Sequence, residues 1–183
     1  MTKTKIAVIV GSIRRESLNR KLATAITRLA PGDFTFDFVE IGDLPNYTQD
    51  DDANAAAAVK RMKAEISAAQ GLLFVTPEYN RSIPGVLKNA LDHGSRPWGN
   101  NSWSGKPAGV VGISVGTVGT ALAQQHLRNI LAFLDVPTLG QPEAFLQAKE
   151  GMFESDGSIG AGSREFLQGW MNKYVAWVKA HQK

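Results

Sequence analysis

The chain has 183 residues, 43% of them hydrophobic and 20% charged, with a formal net charge of +3: the composition of a globular protein of one ordinary domain. It contains no cysteine, which excludes disulfides, thiolate zinc sites, iron–sulfur clusters and dithiol redox chemistry together. No apolar run is long enough to cross a bilayer, and no stripe of Lys or Arg marks a nucleic-acid surface.

Residues 6–10 are a short β-rich apolar run, expected as a buried strand. From Ser17 onward, Leu18, Leu22, Ala25, Ile26 and Leu29 recur at three- and four-residue spacing, which predicts a helix stopped by Pro31 and Gly32. Residues 34–41 alternate Phe34, Phe36 and Phe38 against Thr35, Asp37 and Val39, the pattern of a strand near a sheet edge. Residues 44–52 read as a loop and 53–69 as an alanine-rich helix with Val59, Met62 and Ile66 inward. Residues 72–76 predict a second buried strand, ended by Pro77. Pro84 then opens a helix that carries Val86, Leu87, Ala90 and Leu91 inward. After a polar loop over 98–106, residues 108–115 predict a third buried strand, and Gly116 and Gly119 lead into a helix over 120–134. Residues 136–139 are the candidate for a fifth strand, and the glycine-rich stretch 145–162 is expected to be irregular. The last helix, over 163–181, is expected to put Phe166, Leu167, Trp170, Tyr174, Trp177 and Val178 on one face.

Strand and helix alternate from end to end without a repeat or linker. That pattern predicts one α/β domain over residues 1–183, a parallel sheet with helices on both faces. Ligands of such sheets bind beyond the carboxyl ends of the strands. The site is therefore expected in the three loops that follow Val10, Thr76 and Val115. The first, residues 11–19, runs from a strand into a helix N-terminus, where free N–H groups and the helix dipole favour an anion. Ser12, Ser17 and Asn19 add short donors, Arg14 or Arg15 adds a guanidinium, and Gly11 allows a sharp turn. The loop lacks the Gly-Lys-Ser/Thr ending of a Walker A loop and the glycine spacing of a dinucleotide site, so its donors suit one compact phosphate. The bland alternative is that Ser17 only caps the helix and the arginines are solvated. The second loop, residues 77–84, holds Tyr79 and Asn80 between two prolines and can lie along a flat heterocycle. In the third, residues 114–119, two glycines bring backbone close to a ligand, and Ser114 and Thr117 offer hydroxyls.

Gly11-Ser12-x-Arg14-x-x-Ser17-x-Asn19, with Pro77-Glu78-Tyr79-Asn80 and the following Ser82-x-Pro84-Gly85-x-Leu87-Lys88-Asn89-Ala90-Leu91-Asp92, resembles the NADPH-dependent FMN reductase family, in particular its bacterial quinone and chromate reductase branch. The resemblance implies a flavodoxin-like fold of five parallel strands, non-covalent FMN, and NADPH or NADH as co-substrate. It assigns Ser12, Arg14, Ser17, Leu18 (through its N–H) and Asn19 to the FMN phosphate. It assigns Pro77, Glu78, Tyr79 and Asn80 to the isoalloxazine ring, with Ser114 and Gly116 close by. It also implies that a nicotinamide delivers hydride to the flavin N5 and a small-molecule acceptor takes the electrons, so that no catalytic side chain is needed. Quinones, chromate, azo dyes and nitroaromatics are acceptors of this kind. Homodimers or homotetramers are usual in the family. A tetramer contact that pairs an arginine and a tyrosine with a glutamate meets Leu122 and Gln125 here, while Glu143 remains.

The remaining candidates are weaker. Arg81 and Arg96 are placed to meet a nicotinamide dinucleotide's phosphates if their loops border the crevice, with solvated arginines as the alternative. Trp98 and Trp103 frame either the site, a subunit interface or a packed loop, whereas Trp170 and Trp177 read as core. Asp50, Asp51 and Asp52 read as an acidic helix cap, and His93, His126 and His181 have no metal-ligand spacing. With no signal-peptide pattern at the start, a cytoplasmic location is expected. The rival readings are an FMN-binding electron carrier without a nicotinamide site and a non-redox binding module on the same fold. A sequence pI near 9.2 speaks against the carrier, which is usually acidic.

Overall fold

The computed structural model describes residues 3–182. Five strands form one parallel sheet in the order β2-β1-β3-β4-β5: β1 Thr4–Val10, β2 Phe34–Val39, β3 Gly71–Val75, β4 Ala108–Ser114 and β5 Phe145–Gln147. This is the flavodoxin-like order, and it places β2 at the edge as its alternating pattern predicts. Helices α1 (Leu18–Thr27) and α5 (Ala161–His181) cover one face, and α2 (Ala57–Ser67), α3 (Gly85–Gly94) and α4 (Ala121–Phe133) cover the other. The central strands are apolar on both sides because both sides are covered: Ile6 and Val8 face α1 and α5, while Ala7 and Ile9 face the other core.

Five expectations need correction. The stretch at 136–139 does not pair as a strand. Thr138 makes a single parallel bridge to Ala108, and Pro137 and Pro142, which lack an N–H, break the ladder. Pairing resumes as β5, inside the segment expected to be irregular, where Phe145 to Gln147 lie beside Gly112 to Ser114. The helix predicted over 53–69 begins only at Ala57, after a separate 3-10 helix, Gln49–Asn54, whose first turn holds the three aspartates. On α5, Phe166 is 46% exposed and lies off the buried stripe formed by Leu167, Trp170, Met171, Tyr174, Val175 and Val178. Finally, Gly11 is needed for close approach rather than for a turn. A Cβ there would sit 3.1 Å from Leu87 Cδ2 and 3.2 Å from Thr76 Oγ1.

A second close approach sets the base of the site. Gly112 on β4 lies against the Thr76 carbonyl and the Thr120 hydroxyl, so a Cβ there would overlap both. Thr76 follows β3 and Thr120 precedes α4, so this glycine lets the roots of the second and third loops meet. Gly112→Ala should cost about 3 kcal/mol, at the upper end of the usual cost of overpacking. A urea midpoint equal to that of the parent protein would show that the backbone yields there.

Candidate functional site

Loops 11–17, 76–84 and 115–120 all leave the carboxyl ends of β1, β3 and β4. The first loop starts from a backbone bond of the Gly11 N–H to the Val75 carbonyl (2.9 Å) and ends at Ser17. Ser17 is buried, and its Oγ accepts from the Arg20 N–H at 3.2 Å, so it caps α1 as the bland alternative expects. The cap leaves the N–H groups of Leu18 and Asn19 without an intrahelical acceptor. Ser12, in the same loop, is half-buried. Arg14 and Arg15 are exposed, and neither forms an ion pair among the described residues. Glu16, the one carboxylate in the loop, pairs with Lys21 at 3.2 Å.

Asn19 does something the sequence did not signal. Its side chain is 3% exposed, and it forms two bonds to β4: Nδ2 donates to the Ile113 carbonyl (2.9 Å), and the Ile113 N–H donates to Oδ1 (3.1 Å). The strand geometry explains why. Alternate residues of a strand direct their hydrogen bonds to the same neighbour. Val111 meets β3 through the Thr76 N–H (3.0 Å), so Ile113 faces the same side. There β3 has ended, and Pro77 turns the chain away before Glu78, whose N–H is next in the ladder, can meet Ile113. The Asn19 amide replaces the missing peptide unit. Its side chain is therefore spent on the sheet, and only its backbone N–H remains for an anion.

Residues 79–82 fold into a tight hairpin turn. Tyr79 and Ser82 exchange backbone bonds of 2.9 and 3.0 Å, while Asn80 and Arg81 adopt φ of 51° and 64°. Positive φ at both central positions is the type I′ geometry, which suits Asn80 and strains Arg81. The Glu78 carboxylate, with its side chain 8% exposed, accepts from the N–H groups of Leu122 (3.0 Å) and Ala123 (3.1 Å) in the first turn of α4 and meets Arg81 Nη1 at 3.3 Å. One helical turn further, His126 Nδ1 lies 3.0 Å from Ser82 Oγ. In the third loop, Ser114 Oγ donates to the Gly119 carbonyl at 2.6 Å and is thereby taken up in closing the loop. Gly116 and Thr117 are exposed.

The three loops named from the sequence lie together at the carboxyl ends of the strands, and several of their side chains bond the protein itself. The hydroxyl of Ser114, the amide of Asn19 and the carboxylate of Glu78 hold protein backbone. Pro77 is buried, and Tyr79, Asn80 and Gly116 are exposed at the loop tips. Arg81 is joined to Glu78. Arg96 lies over the Trp98 ring at 5.6 Å, in a segment fastened by Lys63, whose Nζ donates to the carbonyls of Gly94, Arg96 and Asn100. Burial pushes the Lys63 ammonium below the ordinary lysine value, and Asp52 opposes that shift. Trp98 is 79% exposed, whereas Trp103 is wholly buried, packs on Phe74 and donates to the Leu91 carbonyl, so the packed-loop alternative holds for it. His93 ends α3 and bonds the Pro45 carbonyl. Among the described residues no cluster of His, Asp and Glu is able to hold a metal ion. Nor is any helix long and apolar enough to cross a membrane.

Comparison with known proteins agrees with this architecture. The family described as NADPH-dependent FMN reductase matches residues 4–151. A 2-hydroxy-1,4-benzoquinone reductase from Burkholderia sp is 53% identical over 176 residues, 96% of each chain. A quinone reductase from Pseudomonas putida is 47% identical over 178 residues, 97% of this chain and 96% of that one. The solved structure of FerB, a flavoenzyme NAD(P)H:(acceptor) oxidoreductase from Paracoccus denitrificans, superposes with a TM-score of 0.94 at 43% identity, covering 98% of this chain and all of that one. The chain belongs to the NADPH-dependent FMN reductase family.

The Asn19 clamp yields a direct test. Asn19→Ala strands two buried backbone groups of Ile113, at about 1–3 kcal/mol each. Asn19→Asp retains the acceptor but cannot donate to the Ile113 carbonyl, and should lie between Ala and the parent in thermal or urea denaturation. If the alanine variant matches the parent in stability, water replaces the amide without loss.

Proposed function

We propose that this member of the family is an NAD(P)H-dependent quinone reductase that works through bound FMN, with residues 1–183 as a single flavodoxin-like domain. The observation that carries the reading is the N-terminus of α1. The Leu18 and Asn19 N–H groups lack helical acceptors, Ser12 in the preceding loop is half-buried, and Arg14 has no carboxylate partner among the described residues. The nearby carboxylates are engaged elsewhere, Glu16 by Lys21 and Glu78 by α4. That donor set fits a phosphate monoester.

Ser12, Arg14 and the N–H groups of Leu18 and Asn19 hold the phosphate in this reading, and Ser17 keeps the helix terminus in shape. Pro77, Glu78, Tyr79 and Asn80, with Ser114 and Gly116, line the ring, mostly through backbone, since three of the polar side chains nearby are already committed. Bound FMN supplies the redox chemistry, accepting hydride from NADPH or NADH at its N5 and passing electrons to a small acceptor. The chain binds and orients the ring, and it leaves exposed loop tips at Tyr79, Val115 and Val118 for an aromatic acceptor to approach. Quinones are the proposed acceptors, with chromate, azo and nitro compounds as further candidates. The protein acts in the cytoplasm as a homodimer or homotetramer. Because Gln125 Nε2 holds Glu143 within the same chain at 3.0 Å, any contact between subunits at that glutamate must compete with this bond.

The purified protein should be yellow and should oxidise NADPH or NADH in the presence of a benzoquinone. Flavin binding without turnover would favour an electron carrier, and a colourless protein that takes up no FMN would overturn the reading. Arg14→Ala should weaken FMN by about 1.5–3 kcal/mol, the range for a hydrogen bond to a charged group. It should leave riboflavin, which has no phosphate, unchanged. Equal effects on both flavins would move the phosphate away from Arg14.

A further inference from the structure

The N-termini of α1, α3 and α4 follow the three loops at the same end of the sheet, and at α4 two of the first N–H groups are taken by a carboxylate from another loop. At α4 the N-cap residue Thr120 makes no side-chain cap; its hydroxyl instead accepts from Gln124 Nε2 at 2.9 Å. The cap comes from Glu78, more than forty residues earlier, whose Oε2 receives both the Leu122 and the Ala123 N–H. Since α4 follows directly on the third loop, this carboxylate joins the second loop to the third. The Ser82–His126 contact continues the join one turn along the helix. The turn between the two contacts holds Arg81 at a φ that is strained for a side chain, so it does not keep its place by intrinsic preference alone.

We propose that Glu78 is a positioning residue for flavin binding: its carboxylate clamps the 77–84 loop to the first turn of α4 and so sets the spacing between the two loops that flank the ring. This rests on the FMN reading above and adds to it that the Glu78 side chain works through α4, not through contact with the ligand. Helix-dipole and N–H contacts favour the anionic cap. Arg81 adds a second charge contact, so the glutamate's charge is neutralised where it lies.

The test uses the full chain with Glu78→Ala and Glu78→Gln. Dissociation constants for FMN and for riboflavin are read from flavin fluorescence quenching, and amide hydrogen exchange is followed at Leu122 and Ala123 in the flavin-free protein. Loss of a helix cap translates to roughly fivefold to tenfold weaker binding if it opens the ring site. Glu78→Ala should weaken both flavins by the same factor of this size and speed exchange at Leu122 and Ala123. Glu78→Gln, whose amide oxygen can still accept from both N–H groups, should stay within about threefold of the parent on both measures. The proposal is overturned if Glu78→Ala binds both flavins as the parent does, or if it weakens FMN alone. It is also overturned if Glu78→Gln is as impaired as the alanine variant while exchange stays slow, since charge rather than the clamp would then matter. A parent protein that takes up neither flavin removes the cofactor reading and this proposal together, an outcome distinct from a flavin-binding parent with unaffected variants.

Discussion

The site depends on a sheet whose neighbouring strands stop at different heights. β3 ends one residue before Thr76, and Pro77 turns the chain away, while β4 runs on to Ser114. Ile113 would otherwise present an N–H and a carbonyl to nothing inside a buried layer, at a cost comparable to losing two hydrogen bonds. Asn19 fills that gap from α1, so the helix that follows the first loop is fastened to the strand that carries the third. Gly112 acts on the other side of the same junction by letting Thr76 and Thr120 approach β4. The crevice is shaped by what replaces a strand where the strand ends.

The same junction decides where the first N–H groups of α4 are spent. Dipole and unpaired N–H groups exist at the start of every helix, those of α1, α3 and α4 included. Glu78 occupies the first turn of α4. At α1 the Ser17 cap takes only the Arg20 N–H, and Glu16 is drawn to Lys21.

Much of this order was legible in the sequence because it is periodic and local. Buried strands and amphipathic helices state their faces every two or four residues, and the strand-to-helix loops with their Ser, Asn and Pro fall where they are expected. Boundaries and partners were less legible. β5 is three residues long and follows two prolines, so its pairing with β4 depends on a partner some thirty residues away, which no local pattern encodes. Asn19, Glu78 and Ser114 were assigned to the ligand, and no local pattern signals that their side chains also bond protein backbone. Only the three-dimensional register shows that Asn19 faces the end of β3 and Glu78 the start of α4. Phe166 was misplaced for a simpler reason: a long surface helix has room for an exposed aromatic beside its buried stripe.

Rigidity at the base and exposure at the tips together fit a cofactor enzyme with a broad choice of acceptor. A flat ring is bound best by loops whose shape exists before it arrives, because ordering them on binding would cost affinity. Asn19, Glu78, Ser114 and the Tyr79–Ser82 bonds supply that order from within the chain. Beyond them Tyr79, Val115 and Val118 remain exposed, an apolar rim with no charged side chain at those three positions. Such a rim discriminates weakly between planar apolar molecules, since hydrophobic contact rewards area more than identity. On the proposed reading, a site so divided selects its cofactor at the helix terminus and leaves its acceptor to be chosen by shape.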